Sequence, residues 1–265
     1  MVCLSALAFV LFAGGCATTP SGLPQPLPDR QARMKHGYLY YLDGAGGGTA
    51  KKNWSAGVRD GLLQAGYPGA GEMFTWEAGK GLMTDQDASV AEKRAKAKEM
   101  AVELEKQAKA FPKAPINILG FSAGTAIAIF ALEDLPPNVQ VENVVLLGAS
   151  ISNDYDLTKA LERVNGRLYL FTSKRDRMLG ILMGFSGTAD RKFVPGAGET
   201  GFVLPKNASA KTKRLYAEKI VTIPWTKAME ADGNDGRHFD NIKMPFIRDH
   251  VAPLLMGNPA KVTGN

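Results

Sequence analysis

A serine set between two glycines, Gly120-Phe121-Ser122-Ala123-Gly124, is the pattern in this chain best suited to covalent chemistry. A hydroxyl is a weak nucleophile. It becomes an effective one when a tight strand-to-helix turn projects it above a sheet and a neighbouring base removes its proton. The flanking glycines fit such a turn, because strand and helix pass there too closely for side chains. Five residues can arise by chance, so the neighbouring sequence has to carry the argument. "INIL" before the motif reads as a strand and "GTAIAIFAL" after it as a helix. A second candidate, "GFSGT" at 184–188, lacks the second glycine in place and has no such flanks.

Other chemistry finds little support in the residues. "GAGGGTAKK" departs from the phosphate-binding loop, since no glycine precedes its lysine and no Ser or Thr follows it. Gly196-Ala-Gly198-Glu-Thr-Gly201 matches Gly-x-Gly-x-x-Gly. However, "FVLPKN" follows where a dinucleotide site needs a helix, so the stretch reads as a loop. No group of His, Cys or carboxylates has metal-site spacing, and no cofactor is implied. The net charge of +6 comes from Lys and Arg scattered or alternating with Glu, as in "AEKRAKAKEMAVELEKQAKA". That is the pattern of a solvated helix face, not of a nucleic-acid footprint.

The elements that must position Ser122 follow from periodicity. Residues 38–42, "EMFTWEAG", "PINILG", "VENVVLLGAS", "GRLYLFTS" and "EKIVTIPW" read as short strands rich in aliphatic and β-branched residues. Between them lie helical patterns. One runs through Trp54, Val58, Leu62 and Ala65; a longer one opens at the capping box Ser89-Val-Ala-Glu92. The latter keeps Ala97, Met100, Leu104, Ala108 and Phe111 on one face and ends at Pro112. Strands apolar on both faces, alternating with helices, predict an α/β fold: a mostly parallel sheet of about six strands, covered on both sides. Reactive groups in such sheets collect beyond the carboxyl ends of the strands. Residues 177–214 are the least regular stretch and read as an insertion near that end. No repeat or second domain boundary is visible.

Taken together, "GFSAG", "LDGAGGG", "RDRML" and "GRHFDN" resemble the α/β-hydrolase superfamily, over nearly all of residues 37–256. Members of that fold use a Ser, an Asp or Glu, and a His in this chain order. The resemblance implies Ser122 as nucleophile, Asp176 after the strand "GRLYLFT" as acid, and His238 in the polar loop after the last strand as base. Asp154 and Asp156, in "SNDYD", compete for the acid. The other histidines fit less well. His36 precedes the first strand, at the wrong end of the sheet; His250 falls in "MPFIRDHVAPLLM", whose Phe246, Val251 and Leu254 predict a helix packed on the sheet. The resemblance also implies an oxyanion hole from the backbone amides of Ala123 and of Ala45, in the loop Asp43-Gly44-Ala45-Gly46. The expected activity is hydrolysis of a carboxylic ester or related acyl bond, in a small-molecule or lipid substrate, through an acyl-enzyme. A non-catalytic, membrane-anchored binding lipoprotein on the same fold is the alternative. The run "MLGILMGF" would line an acyl pocket, form a lid, or pack as an amphipathic core helix.

The N-terminus is a different kind of sequence. The apolar run from Val2 to Ala13 is short for a membrane span and suits a secretion signal. It ends in "FAGGC", which resembles the lipobox at which bacterial lipoproteins are cleaved and acylated. Residues 1–15 thus read as a signal peptide and Cys16 as the lipidation site. Cys3 and Cys16 are the only cysteines, so the processed domain would carry no disulfide. Residues 16–36, rich in Pro, read as a flexible tether, 37–256 as the domain, and 257–265 as a tail. The expected location is a bacterial membrane, with the domain facing the periplasm or cell exterior.

Overall fold

The computed structural model describes residues 25–49, 53–77 and 81–263. The expected signal peptide and Cys16 lie outside the described residues. Six strands form one sheet: β1 (Tyr38–Leu42), β2 (Ala70–Met73), β3 (Ile116–Phe121), β4 (Asn143–Leu147), β5 (Leu168–Thr172) and β6 (Ile220–Pro224). All pairs are parallel, in the order β2-β1-β3-β4-β5-β6. The helices that cover it are α1 (Arg30–Met34), α2 (Ser55–Gln64), α3 (Leu82–Asp87), α4 (Val90–Ala110), α5 (Gly124–Asp134), α6 (Thr158–Leu161), α7 (Arg177–Ser186), α8 (Ala197–Thr200) and α9 (Ala210–Lys219). A helical segment over 244–255, with a π turn at Ile247–Val251, closes the fold.

Strand alternation divides the core in two. Tyr38, Tyr40 and Leu42 of β1 join Ile118, Val144 and Leu146 on the face covered by α4 and α5. Leu39 and Tyr41 join Leu119, Phe121, Val145 and Leu147 on the face covered by α2 and the C-terminal segment. Burial on both faces is why these strands read as continuous apolar runs. Helix α4 begins where its capping chemistry directs. Ser89 Oγ accepts the Glu92 N–H at 3.1 Å, and Glu92 Oε2 accepts the Ser89 N–H at 2.7 Å, an arrangement that contributes about 1 kcal/mol. Helix α5 is buried from Gly124 through Glu133, so its small residues allow it to lie close against the sheet.

The connections set the site. The chain leaves β1 toward the edge strand β2, then returns past β1 to β3 and steps outward to β6. Connections from the neighbouring strands β1 and β3 therefore diverge, which opens a crevice at their carboxyl ends.

The structure departs from the sequence reading in five places. Strand β2 ends at Met73, short of "TWEAG", because Trp76 turns inward and donates its indole N–H to the Asp43 carbonyl at 2.9 Å. Helix α3 was not anticipated. The expected insertion at 177–214 carries α7 and α8 and the first half of α9. The expected tether is part of the fold from residue 25 onward. Leu27 is 1% exposed and donates its N–H to Gly71 at 2.7 Å, while Arg30 in α1 bonds the Tyr38 hydroxyl at 2.8 Å. Burying a leucine contributes about 2 kcal/mol, enough to pin a Pro-rich segment that composition alone marks as loose. The expected tail likewise packs in part, through Val262. Among the described residues no helix is long and apolar enough to cross a membrane.

Candidate active site

Strand β3 ends at Phe121 and α5 begins at Gly124, leaving Ser122 in a tight turn with φ of 51°. This is the left-handed region, which costs a non-glycine residue roughly 1–2 kcal/mol. Hydrogen bonds hold it there. The Ser122 N–H donates to Leu147 of β4 at 2.9 Å, and the Ser122 carbonyl accepts the Thr125 N–H at 3.1 Å and hydroxyl at 2.6 Å. The two glycines are sterically required. A Cβ on Gly120 would sit 2.9 Å from Thr125 Cα, and one on Gly124 would sit 2.5 Å from the Asp43 carbonyl oxygen. Gly44 has the same constraint from the other side, at 2.7 Å from Ser122 Cβ, so the loop after β1 rests directly on the serine.

Asp176 follows β5 and caps α7, its Oδ1 accepting the Leu179 N–H at 2.9 Å. Its Oδ2 lies 2.7 Å from His238 Nδ1, and His238 Nε2 lies 2.9 Å from Ser122 Oγ. All three residues are buried. The His238 loop is fixed by Asn241 donating to the His238 carbonyl at 3.0 Å and by Ser173 donating to the Gly236 carbonyl at 2.7 Å. Gly148, at φ of 52°, leaves room for the imidazole, since its Cβ would come within 3.0 Å of His238 Cε1. Phe121 and Phe239 flank the ring. In this line of hydrogen bonds the hydroxyl can pass its proton to Nε2 while the carboxylate holds the Nδ1–H tautomer.

The competing residues stand elsewhere. Asp154 pairs with Lys192 at 2.8 Å, and Asp156 accepts the Thr158 N–H at 2.9 Å. His250 stacks on Phe246 and meets Asp232 at 2.8 Å, a packing role consistent with the sequence reading. His36 is exposed in the turn before β1. Ser186 of "GFSGT" ends α7. The Gly196–Gly201 stretch includes α8 and lies against the chain after β4: Gly198 donates to the Ala149 carbonyl at 2.9 Å, and a Cβ there would sit 2.4 Å from Ala149 N. Its glycines serve backbone contact. Among the described residues no His, Cys, Asp and Glu cluster is placed to hold a metal.

The loop after β1 is built to present amides. Gly46 N–H donates to Asp85 at 2.8 Å, Gly47 N–H to the Gly44 carbonyl at 3.0 Å, and Gly48 N–H to Asp43 at 3.2 Å. Among the described residues, the Ala45 and Ala123 N–H groups have no acceptor, and Ala45 and Ser122 line the same crevice. Behind the loop sit three buried carboxyls, Asp43, Glu77 and Asp85. Burial pushes Asp43 up to about 6; burial, then the charges of Asp43 and Asp85, push Glu77 up to about 8. Glu77 Oε2 accepts the Trp76 N–H at 3.0 Å, while Oε1 is buried with no partner among the described residues.

Trp54, Gln86, Met178 and Phe239 complete the crevice over Ser122. None was assigned to the site from sequence, where Trp54 was read only as a helix-face residue. Phe239 and Met178 carried a signal, lying beside His238 and two residues after Asp176, whereas Gln86 arrives on the unanticipated α3. The "MLGILMGF" run forms most of α7. Leu179 and Met183 are buried, Met178 faces the crevice, and Ile181 and Phe185 are exposed.

No family model matches this chain, and no curated protein sequence does. Among solved structures it is similar to an acylaminoacyl peptidase of Pyrococcus horikoshii, with 12% identity and a TM-score of 0.48 over 84% of this chain. That likeness spans 37% of the peptidase chain, well under half its length. It is also similar to Est1E of Butyrivibrio proteoclasticus (12% identity, TM-score 0.47, 89% of this chain and 93% of that one). A lipase/esterase of Lactobacillus plantarum is similar at 12% identity and a TM-score of 0.41, over 72% of this chain and 77% of that one. The six-stranded parallel sheet, its helices on both faces and its serine turn after β3 make up an α/β-hydrolase fold.

Proposed function

We propose that this chain is a serine hydrolase that cleaves a carboxylic ester or related acyl bond through an acyl-enzyme intermediate. The observation that carries the reading is the buried line of hydrogen bonds from Asp176 through His238 to Ser122. In the first step Ser122 Oγ attacks the acyl carbon as His238 Nε2 takes its proton, and the carbonyl oxygen gains a negative charge. The Ala45 and Ala123 amides donate to that oxyanion, each lowering the barrier by about 3 kcal/mol. Collapse then breaks the bond to the leaving oxygen, which takes the proton from His238. Water repeats the sequence on the acyl-enzyme, releasing the acid and restoring Ser122. Asp176 orients the ring through Nδ1 and stabilises the imidazolium.

The sequence of residues 1–16 supports a second element of the reading, export and anchoring through an acylated Cys16. The enzyme reading is tested by reacting the folded protein with a fluorophosphonate probe. Wild type is expected to be modified at Ser122, and Ser122→Ala is expected to be inert. Absence of modification in folded wild-type protein would favour the non-catalytic lipoprotein instead.

A further inference from the structure

An open cleft of about 890 Å³ adjoins the serine crevice and shares Met178, His238 and Phe239 with it. The rest of its lining is charged, with Lys174, Arg175, Arg177 and Arg237 facing Glu230, Asp235 and Asp240. Two of these acids are already matched: Glu230 by Arg175 at 3.1 Å, and Asp240 by Lys243 at 2.6 Å. Arg175 is further held over the Trp225 ring. Lys174, Arg177 and Arg237 are exposed and have no carboxylate partner among the described residues; the lining carries one net positive charge, and these three cations outnumber Asp235, the one lining acid without an ion pair among the described residues. Cations gathered around one concavity repel each other and focus a positive potential into it.

The chemistry fixes which half of a substrate meets this cleft. His238 hands its proton to the leaving oxygen, so the alcohol half departs on the His238 side, and His238 is the wall that crevice and cleft share. The acyl half then faces Ala45, Trp54 and Gln86. We propose that the alcohol half of the substrate carries an anionic group, a phosphate or carboxylate, received by Lys174, Arg177 and Arg237. The planar guanidinium forks match either anion in two-point contact. This assignment rests on the hydrolase reading of Ser122.

The test compares acetyl esters that share an acyl group: 4-acetoxybenzoate and 4-acetoxyphenyl phosphate as anionic substrates, 4-acetoxybenzamide as the neutral one. The readout is the anionic-to-neutral ratio of kcat/KM. In the combined Lys174→Gln, Arg177→Gln, Arg237→Gln variant the ratio is expected to fall about tenfold, each exposed charge pair carrying roughly a two- to fivefold share. The loss should lie in KM, and salt at about 0.5 M should mimic it in wild type. Lys98→Gln, on the exposed face of α4, serves as the control and should leave the ratio unchanged. A binding arm is independent of turnover: Ser122→Ala protein is titrated calorimetrically with 4-hydroxybenzoate, phenyl phosphate and 4-hydroxybenzamide. The anions should bind more tightly than the amide and lose that advantage in the combined variant; the tighter anion identifies carboxylate or phosphate. An unchanged ratio in protein that still reacts with fluorophosphonate overturns the anion site and leaves the hydrolase reading intact. If the fluorophosphonate fails, the hydrolase reading falls, and anions binding no better than the amide would overturn the site as well.

Discussion

Replacing Asp176 by Asn isolates the work of the buried carboxylate, because the side chain keeps its size and changes only one group. In the native site Oδ1 accepts the Leu179 N–H at 2.9 Å and Oδ2 faces His238 Nδ1 at 2.7 Å. The Asn oxygen will stay on Leu179, since turning its NH2 there would set two donors face to face at a cost of about 1–3 kcal/mol. The NH2 therefore points at Nδ1, which must accept. The imidazole proton moves to Nε2, and at 2.9 Å from Ser122 Oγ that nitrogen then donates where it should accept. The base is lost without opening a cavity. A tautomer fault of this kind lowers reactivity by about 10⁴-fold, or about 5 kcal/mol of barrier. The assay is the second-order rate of fluorophosphonate labelling between about pH 6 and 9, with thermal melting as the check on folding. Labelling within tenfold of wild type, in a variant that melts normally, would refute the tautomer argument.

Two further outcomes are expected. Glu77 is held near 8 by burial against an ordinary value of 4.5, so the folded chain binds more protons than the unfolded one between those values, and stability falls as pH rises through that window. Glu77→Gln keeps an acceptor for the Trp76 N–H and removes the titration. Denaturant unfolding should show it matching wild type near pH 4 and exceeding it near pH 9 by a few kcal/mol, at most about 5; identical pH slopes in the two proteins would count against the buried-carboxyl account. In the full-length chain expressed in a bacterium, Cys16→Ser should abolish incorporation of labelled palmitate and release the protein from the membrane fraction. Persistent labelling would rule out Cys16 as the anchor.

What could be read from the sequence was local. Residues 38–42 and 143–147 announce themselves as strands because both faces are apolar, and Ser89 with Glu92 marks the start of α4 because capping joins residues three apart. The turn at Ser122 was legible for the same reason, its two glycines clearing contacts made by the strand and helix that the turn joins. Only the tertiary structure brings His238 to Ser122 across 116 residues and Asp176 to His238 across 62. It also sets Asp176 at 2.7 Å from His238, whereas Asp154 pairs with Lys192 and Asp156 with the Thr158 N–H, a difference that composition and strand order left open. Gly148 and Gln86 gained their places at the site from chain packing, with no periodic signal to mark them, and the spacing that marked Trp54 as a helix-face residue did not mark it for the site. Leu27 shows the same in the opposite direction: a single apolar residue among prolines has no pattern of its own, yet a matching edge beside β2 makes it core. Patterns in a chain report forces between near neighbours; a site assembled at diverging strand ends depends on contacts that exist only once the sheet has formed.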